Sequence, residues 1–200
     1  MAKGISKDHV IDTALALIDK HQGVKKLNFR DIAREIGCAH TNLYNYFPSF
    51  EALLWEAQEM IMKRLQSSIN ESMVNVSEPK DKLLAFFRSF IDFYLDHEGW
   101  FKLSWFEQFH SPRPQAHYDH TLSTVNALLE SLINVSQQLH HCEIDIEQMR
   151  LYLHNVHCYV IGELSIFFTG RNLIQDEPSF RAYVLEQSVK ILRLLMQSQS

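Results

Sequence analysis

Residues 27–54 read LNFRDIAREIGCAHTNLYNYFPSFEALL, and this run decides the fold. Asn28 is a helix-capping residue type with Asp31 three positions on, close to a capping box, and Gly37 is a natural stop. Between them a short helix buries Ile32, Ala33 and Ile36. After a turn of about three residues, the spacing predicts a second short helix over 40–47, with Leu43 and Phe47 inward at i, i+4. Pro48 and Ser49 break it and cap the next. Two short helices around a Gly-containing turn, with Ala33, Ile36 and Leu43 buried, make a helix-turn-helix. The exposed face of the second helix offers His40, Thr41, Asn42, Tyr44, Asn45 and Tyr46, with no Asp or Glu. All are hydrogen-bonding side chains able to reach base edges or phosphates in a major groove. The competing reading is a helical hairpin that meets no nucleic acid. The combined spacing of Ile32-Ala33, Gly37, Leu43-Tyr44 and Phe47-Pro48-Ser49 argues against it.

Working outward, a first helix over about 6–21 has Ile11, Ala14, Leu15 and Ile18 on one face, with Gly23 beyond it. A long helix over 50–73 carries Leu54, Ala57, Ile61 and Leu65 along one side. After the restart at Ser77-Glu78-Pro79, a helix to about residue 96 is apolar nearly all round. Its polar stripe is narrow (Asp81, Arg88, Asp92, Asp96), so it belongs at the centre of the body. Gly99 breaks the chain before 100–109, and Ser111-Pro112-Arg113-Pro114 is a loop before a helix to about residue 140. The last two helices span 145–168 and 179–197. No alternating strand pattern, internal repeat or low-complexity tract is present. The class is all-α: a three-helix helix-turn-helix domain over 1–48, then a larger helical domain over 49–200.

Composition agrees. The 200 residues are 46% hydrophobic and 22% charged, with 6 Gly and 5 Pro, which suits a helical globular protein. Three cysteines (Cys38, Cys142, Cys158) form no disulfide framework, and no apolar run approaches a signal peptide or membrane span. The expected setting is the cytoplasm, without membrane attachment. The net charge of −5 is uneven: residues 1–47 hold seven Lys/Arg and five acids, leaving a mildly basic head on an acidic body.

The run 27–54 resembles the tetracycline-repressor (TetR) family in its D-I-A stretch, Gly turn, L-Y pair and F-P-S-x-E-A-L-L tail. The resemblance covers about the first quarter of the chain, and the remaining helices agree more loosely with that family's nine-helix plan. It implies that Arg30 can reach a base, and that His40, Thr41 and Asn42 begin the base-reading surface. It also implies phosphate or edge contacts for Tyr44 and Tyr46. Two positions depart from the pattern. Ala39 stands where a capping Ser is frequent, and Phe50 where a phosphate-clamping Lys is common; Lys25 or Lys26 is the candidate substitute.

In the body, ten of the 24 residues 86–109 are aromatic, where the chain's 12% content predicts about three. Aromatic walls with a few polar groups suit a small apolar molecule, although most such residues will simply be core. The expected effector site takes Phe90, Phe93, Tyr94, Trp100, Trp105 and Phe109, with Tyr152, Asn155, Tyr159 and Glu163 as facing polar groups. The resemblance likewise places an inducer site among these middle helices. Leu185, Val189, Leu192 and Met196 form a stripe, widened by Val184, Ile191 and Leu195, that exceeds the needs of one small flank. The resemblance implies a four-helix dimer interface from the last two helices, with Gly162, Ser165 and Thr169 permitting close approach.

Eleven histidines include His117-x-x-His120, His140-His141-Cys142 and His154-x-x-His157-Cys158. Pairs at i, i+3 share a helix face and could bind a metal. Without an acid quartet, hydrogen-bonded or surface histidines are the commoner outcome, so no metal and no cofactor is expected. No nucleophile elbow or phosphate-cradling Gly loop marks an enzyme. The sequence therefore predicts a homodimeric regulator, a repressor binding a palindromic double-stranded DNA operator and released by a small hydrophobic or aromatic effector. The alternatives are a metal-responsive regulator and, further off, a helical metalloenzyme or an interaction scaffold.

Overall fold

The computed structural model describes residues 5–140 and 144–197. Among them are eight α-helices and one 3-10 helix, and no strand. In chain order these are α1 (Lys7–Lys20), α2 (Phe29–Ile36), the 3-10 helix (His40–Asn45), α3 (Phe50–Val74) and α4 (Pro79–Leu95). They continue with α5 (Glu98–Trp105), α6 (Gln115–His140), α7 (Ile146–Phe168) and α8 (Glu177–Gln197). The all-α expectation holds. No helix of the described residues is long and apolar enough to cross a membrane.

The chain packs into two compact units. Of the described residues, one unit joins 5–64 with 97–122; the other joins 65–96 with 123–140 and 144–197. The packing therefore does not divide at residue 48. The reason lies in α5, which packs on α1 inside the first unit. Gly99 permits this: a Cβ there would lie 2.2 Å from the Ile18 carbonyl oxygen and 2.7 Å from Asp19 Cα. The glycine read as a chain break is a point of backbone contact. Next to it, Trp100 Nε1 donates to the Leu15 carbonyl at 3.0 Å, and the His97 ring stacks on Trp100 at 3.8 Å while Nδ1 meets Asp19 Oδ2 at 2.7 Å. α1 also packs on α2, and its Val10, Ile11, Ala14, Leu15, Leu17 and Ile18 are all buried. At about 1.5–3 kcal/mol for each large side chain, that burial dominates the unit's cohesion.

In the second unit, α8 packs on both α4 and α7. Phe86, Phe87, Ile91 and Tyr94 of α4 are buried, as are Met149, Tyr152, Val156, Val160 and Leu164 of α7. Phe180, Val184, Ser188 and Leu192 of α8 complete the layer; Phe180 stacks on Phe167 at 4.2 Å, and the Ser188 hydroxyl is satisfied by the Val184 carbonyl. Arg181 ties α8 to α4 through Asp92 (2.6 Å) and Asp96 (3.0 Å), and bonds Glu177 of its own helix (2.7 Å).

Candidate nucleic-acid interface

The interface is built on α2. Asn28 Oδ1 accepts from the Arg30 amide at 2.8 Å, and Asp31 Oδ2 accepts from the Asn28 amide at 3.0 Å, completing the capping box. At the other end Gly37 takes a left-handed conformation (φ 81°), and the Cys38 amide bonds the Ala33 carbonyl at 2.9 Å. A Cβ at that φ carries strain, which is why glycine sits at this turn. Both ends of the first helix are thereby fixed, and so is the direction in which the chain leaves it.

The second helix departs from expectation. It is a six-residue 3-10 helix, His40–Asn45, rather than an α-helix to residue 47. Ala39 has no side chain to cap it and Pro48 stops extension, so i→i+3 bonds (Asn42 N to Ala39 O, Tyr46 N to Leu43 O, both 3.0 Å) carry the turn. In that geometry i and i+3 eclipse, so Tyr46 follows the fully buried Leu43 inward. Its hydroxyl donates to the Ile5 carbonyl, tying the segment before α1 to the end of the 3-10 helix. Of the residues expected to face DNA, Tyr46 is thus half-buried, with its hydroxyl engaged inside the chain.

Thr41, Asn42, Tyr44 and Asn45 are exposed and His40 is half-buried, while Arg30 stands exposed at the start of α2. Tyr44 is held by a group the sequence reading missed: its ring meets Phe29 edge-on at 5.0 Å, and Phe29 in turn meets Phe50 at 5.7 Å. Phe50 thus serves as packing beneath the surface. Lys25 and Lys26 are exposed in the preceding loop. Arg34 is engaged with Asp31 on its own helix.

The ten residues expected around an effector are divided between the two units. Trp100, Trp105 and Phe109 lie in the first unit, where Trp100 is pinned to α1 and Phe109 stacks on Trp55 at 4.0 Å. Asn155 is exposed and bonds the Leu151 carbonyl of its own helix. Phe90, Phe93 and Tyr94 pack edge-on along α4, and Phe90 also meets the His157 ring of α7 at 5.5 Å; Tyr152 and Tyr159 lie on α7. Burial pushes the His157 imidazole down to about 4, and burial beside Glu163 pushes the Tyr159 phenol up.

The stripe expected at a dimer interface is in part taken up within the chain. Leu192 is wholly buried within the chain, Leu185 and Val189 line a groove against α4, and Met196 lines a small cavity together with Leu83, Leu84 and Leu139. The apolar helix α4 needs a cover, and this side of α8 supplies it. The exposed apolar residues of the last two helices are instead Leu151, Ile166, Tyr183 and Leu194. On α7, Leu151, Asn155, Cys158, Gly162 and Ile166 share one side, and a Cβ on Gly162 would meet nothing within 4 Å in the chain. Among the described residues no three His, Cys, Asp or Glu side chains are placed to hold a metal. The motif 140–142 lies outside the described side chains.

Residues 10–57 match the profile of bacterial regulatory proteins of the tetR family. The nucleoid occlusion factor SlmA of Haemophilus influenzae is 27% identical over 97 residues, 46% of this chain and 43% of that protein. The match thus spans less than half the length of that relative. The fold is shared with FadR of Bacillus subtilis, solved in complex with stearoyl-CoA (TM-score 0.68, 16% identity, covering 95% of this chain and 97% of that one). It is shared too with a TetR variant of Acinetobacter baumannii AYE in complex with minocycline (TM-score 0.67, 15% identity, 98% and 99% covered). The helix-turn-helix segment thus matches the tetR-family profile over residues 10–57, and the chain as a whole shares its all-helical fold with these two solved proteins.

Proposed function

We propose that the chain is a dimeric repressor that binds a palindromic operator and is released by a small apolar effector. One observation carries the DNA reading: an acid-free exposed set, Thr41, Asn42, Tyr44 and Asn45, on a helix whose orientation is fixed by a doubly capped α2. Thr41, Asn42 and Asn45, with His40 and Arg30, are the base-reading candidates, whereas the exposed Tyr44, its ring braced by Phe29, is the candidate phosphate contact. Two copies related by a two-fold axis must meet half-sites about 34–36 Å apart, or a multiple of that.

For the second chain we assign the exposed side of α7 and α8 carrying Leu151, Gly162, Ile166, Tyr183 and Leu194. The effector site is narrowed to the aromatic cluster of Phe90, Phe93, Tyr94, Tyr152 and Tyr159. That two proteins of this fold were solved with stearoyl-CoA and with minocycline supports a bulky small-molecule ligand. A ligand acts on DNA only through different affinities for two arrangements of the protein.

Selection of genomic fragments on the full-length protein tests the reading. An enriched palindrome is expected. Thr41→Ala or Asn42→Ala should change the preferred bases, while Tyr44→Phe should weaken all sequences alike. Recovery of no enriched motif would overturn the DNA-reading assignment.

A further inference from the structure

A groove of about 760 Å³ runs between α4 and α8, within the second unit. Its floor is Leu84, Ile91, Ala182, Leu185 and Val189. Five cations line it, Lys80, Arg88, Arg181, Lys190 and Arg193, against two acids, Asp92 and Glu186. The lining is therefore positive on a chain whose net charge is −5. The two ends differ. At one, Arg181 is neutralised by Asp92, Asp96 and Glu177. At the other, Lys80 and Arg193 make no ion pair or hydrogen bond among the described residues.

That second end opens on a smaller cavity of about 100 Å³. Lys80, Leu84, Val189 and Arg193 border both spaces, and Leu83, Leu139, Leu192 and Met196 complete the smaller one. An apolar pit thus adjoins an apolar trough, with two uncommitted cations at the junction. A neutral apolar molecule would leave those cations unused, and a bare anion would leave the leucines wet. Apolar area and opposite charge are both satisfied by one molecule that carries an alkyl chain and an anionic head.

We propose that the groove between α4 and α8 binds a single-chain amphipathic carboxylate free in solution, its tail along Leu84, Leu185 and Val189 and its head held by Lys80 and Arg193. The site is separate from the aromatic cluster on α4 and α7. It stands whether or not the chain binds DNA, because the test measures binding without DNA.

The probes are dodecanoate and dodecyltrimethylammonium, which share a tail and differ in head charge, titrated calorimetrically into the full chain below their micelle concentrations. Dodecanoate should bind saturably and about tenfold more tightly than the cation, the worth of two partly exposed ion contacts. In the double variant Lys80→Glu, Arg193→Glu the preference should invert. A variant that merely misfolds loses both probes rather than exchanging them, and Lys80→Gln, Arg193→Gln, which should only abolish the preference, gives an independent reading. Equal affinity for the two probes, or an unchanged preference in both variants, overturns the proposal. So does retention of dodecanoate binding by the charge-reversed chain together with its loss on Phe90→Ala, which would move the ligand to the aromatic cluster. Tighter binding of an acidic helical peptide than of dodecanoate would also overturn it, by making the groove a protein dock.

Discussion

Gly99→Ala separates two accounts of one residue by the sign of the effect. On helix propensity alone, alanine inside α5 should stabilise the chain by about 1 kcal/mol. The structure requires the opposite. The new Cβ would sit 2.2 Å from the Ile18 carbonyl oxygen and 2.7 Å from Asp19 Cα, both backbone atoms that no side-chain rotation can move. Restoring ordinary contact means opening α1 from α5 by about 1 Å, an overpacking cost of about 1–3 kcal/mol. The same displacement stretches the 3.0 Å bond from Trp100 Nε1 to the Leu15 carbonyl, exposing a buried donor to a further penalty of about 1–3 kcal/mol. Set against the propensity gain, the net loss is about 1–5 kcal/mol, lowering Tm by roughly 2–4 °C per kcal/mol. Thermal and urea melts followed by tryptophan fluorescence and far-UV circular dichroism measure it. Gly162→Ala is the companion, because the chain places nothing near that Cβ. A Gly99→Ala protein as stable as the parent, or more so, would refute the close approach of α1 and α5.

Four further outcomes follow from burial. Gly162→Ala should stabilise an isolated chain by about 0.5–1 kcal/mol, and a loss instead, growing with protein concentration, would place a partner's backbone against α7. Leu192→Glu puts a charge into a fully buried position and should cost more than about 4 kcal/mol, so it unfolds the second unit. Leu194→Glu, at an exposed position, should retain Tm yet sediment as monomer, and an intact dimer would put the interface elsewhere. The His157 imidazole, held down to about 4 by burial, stays neutral in the fold while the unfolded chain protonates near 6.5. Stability is therefore complete above that range and falls by at most about 3 kcal/mol as pH drops from 6.5 toward 4. His157→Leu should flatten this acid limb in denaturation midpoints, and an unchanged slope would remove His157 from the account.

Most helices were legible because their apolar residues recur with a 3.6 period, and the ends of α2 because Asn28, Asp31 and Gly37 have local, self-contained chemistry. Partner choice was not legible. The period of α8 correctly gave Leu185, Val189 and Leu192 one face, but nothing local says whether α4 or a second chain covers it. Glycine is equally mute: Gly99 as a helix stop and Gly99 as a contact point look the same in a sequence. The half-burial of Tyr46 was not legible because an exposed face drawn at 100° per residue does not anticipate an uncapped turn before Pro48 that winds at 120°.

The docking of α5 on α1 bears on how such regulators can be rebuilt. A chimera that transplants only residues 1–48 would strip Leu15 and Ile18 of Trp100 and leave the recipient's own α5 facing a helix it did not evolve against. Unless that recipient offers a residue without a Cβ opposite Ile18, the graft begins with a steric clash. The portable part of this protein is thus discontinuous in the gene, and an exchange of specificity should move residues 97–105 along with the head.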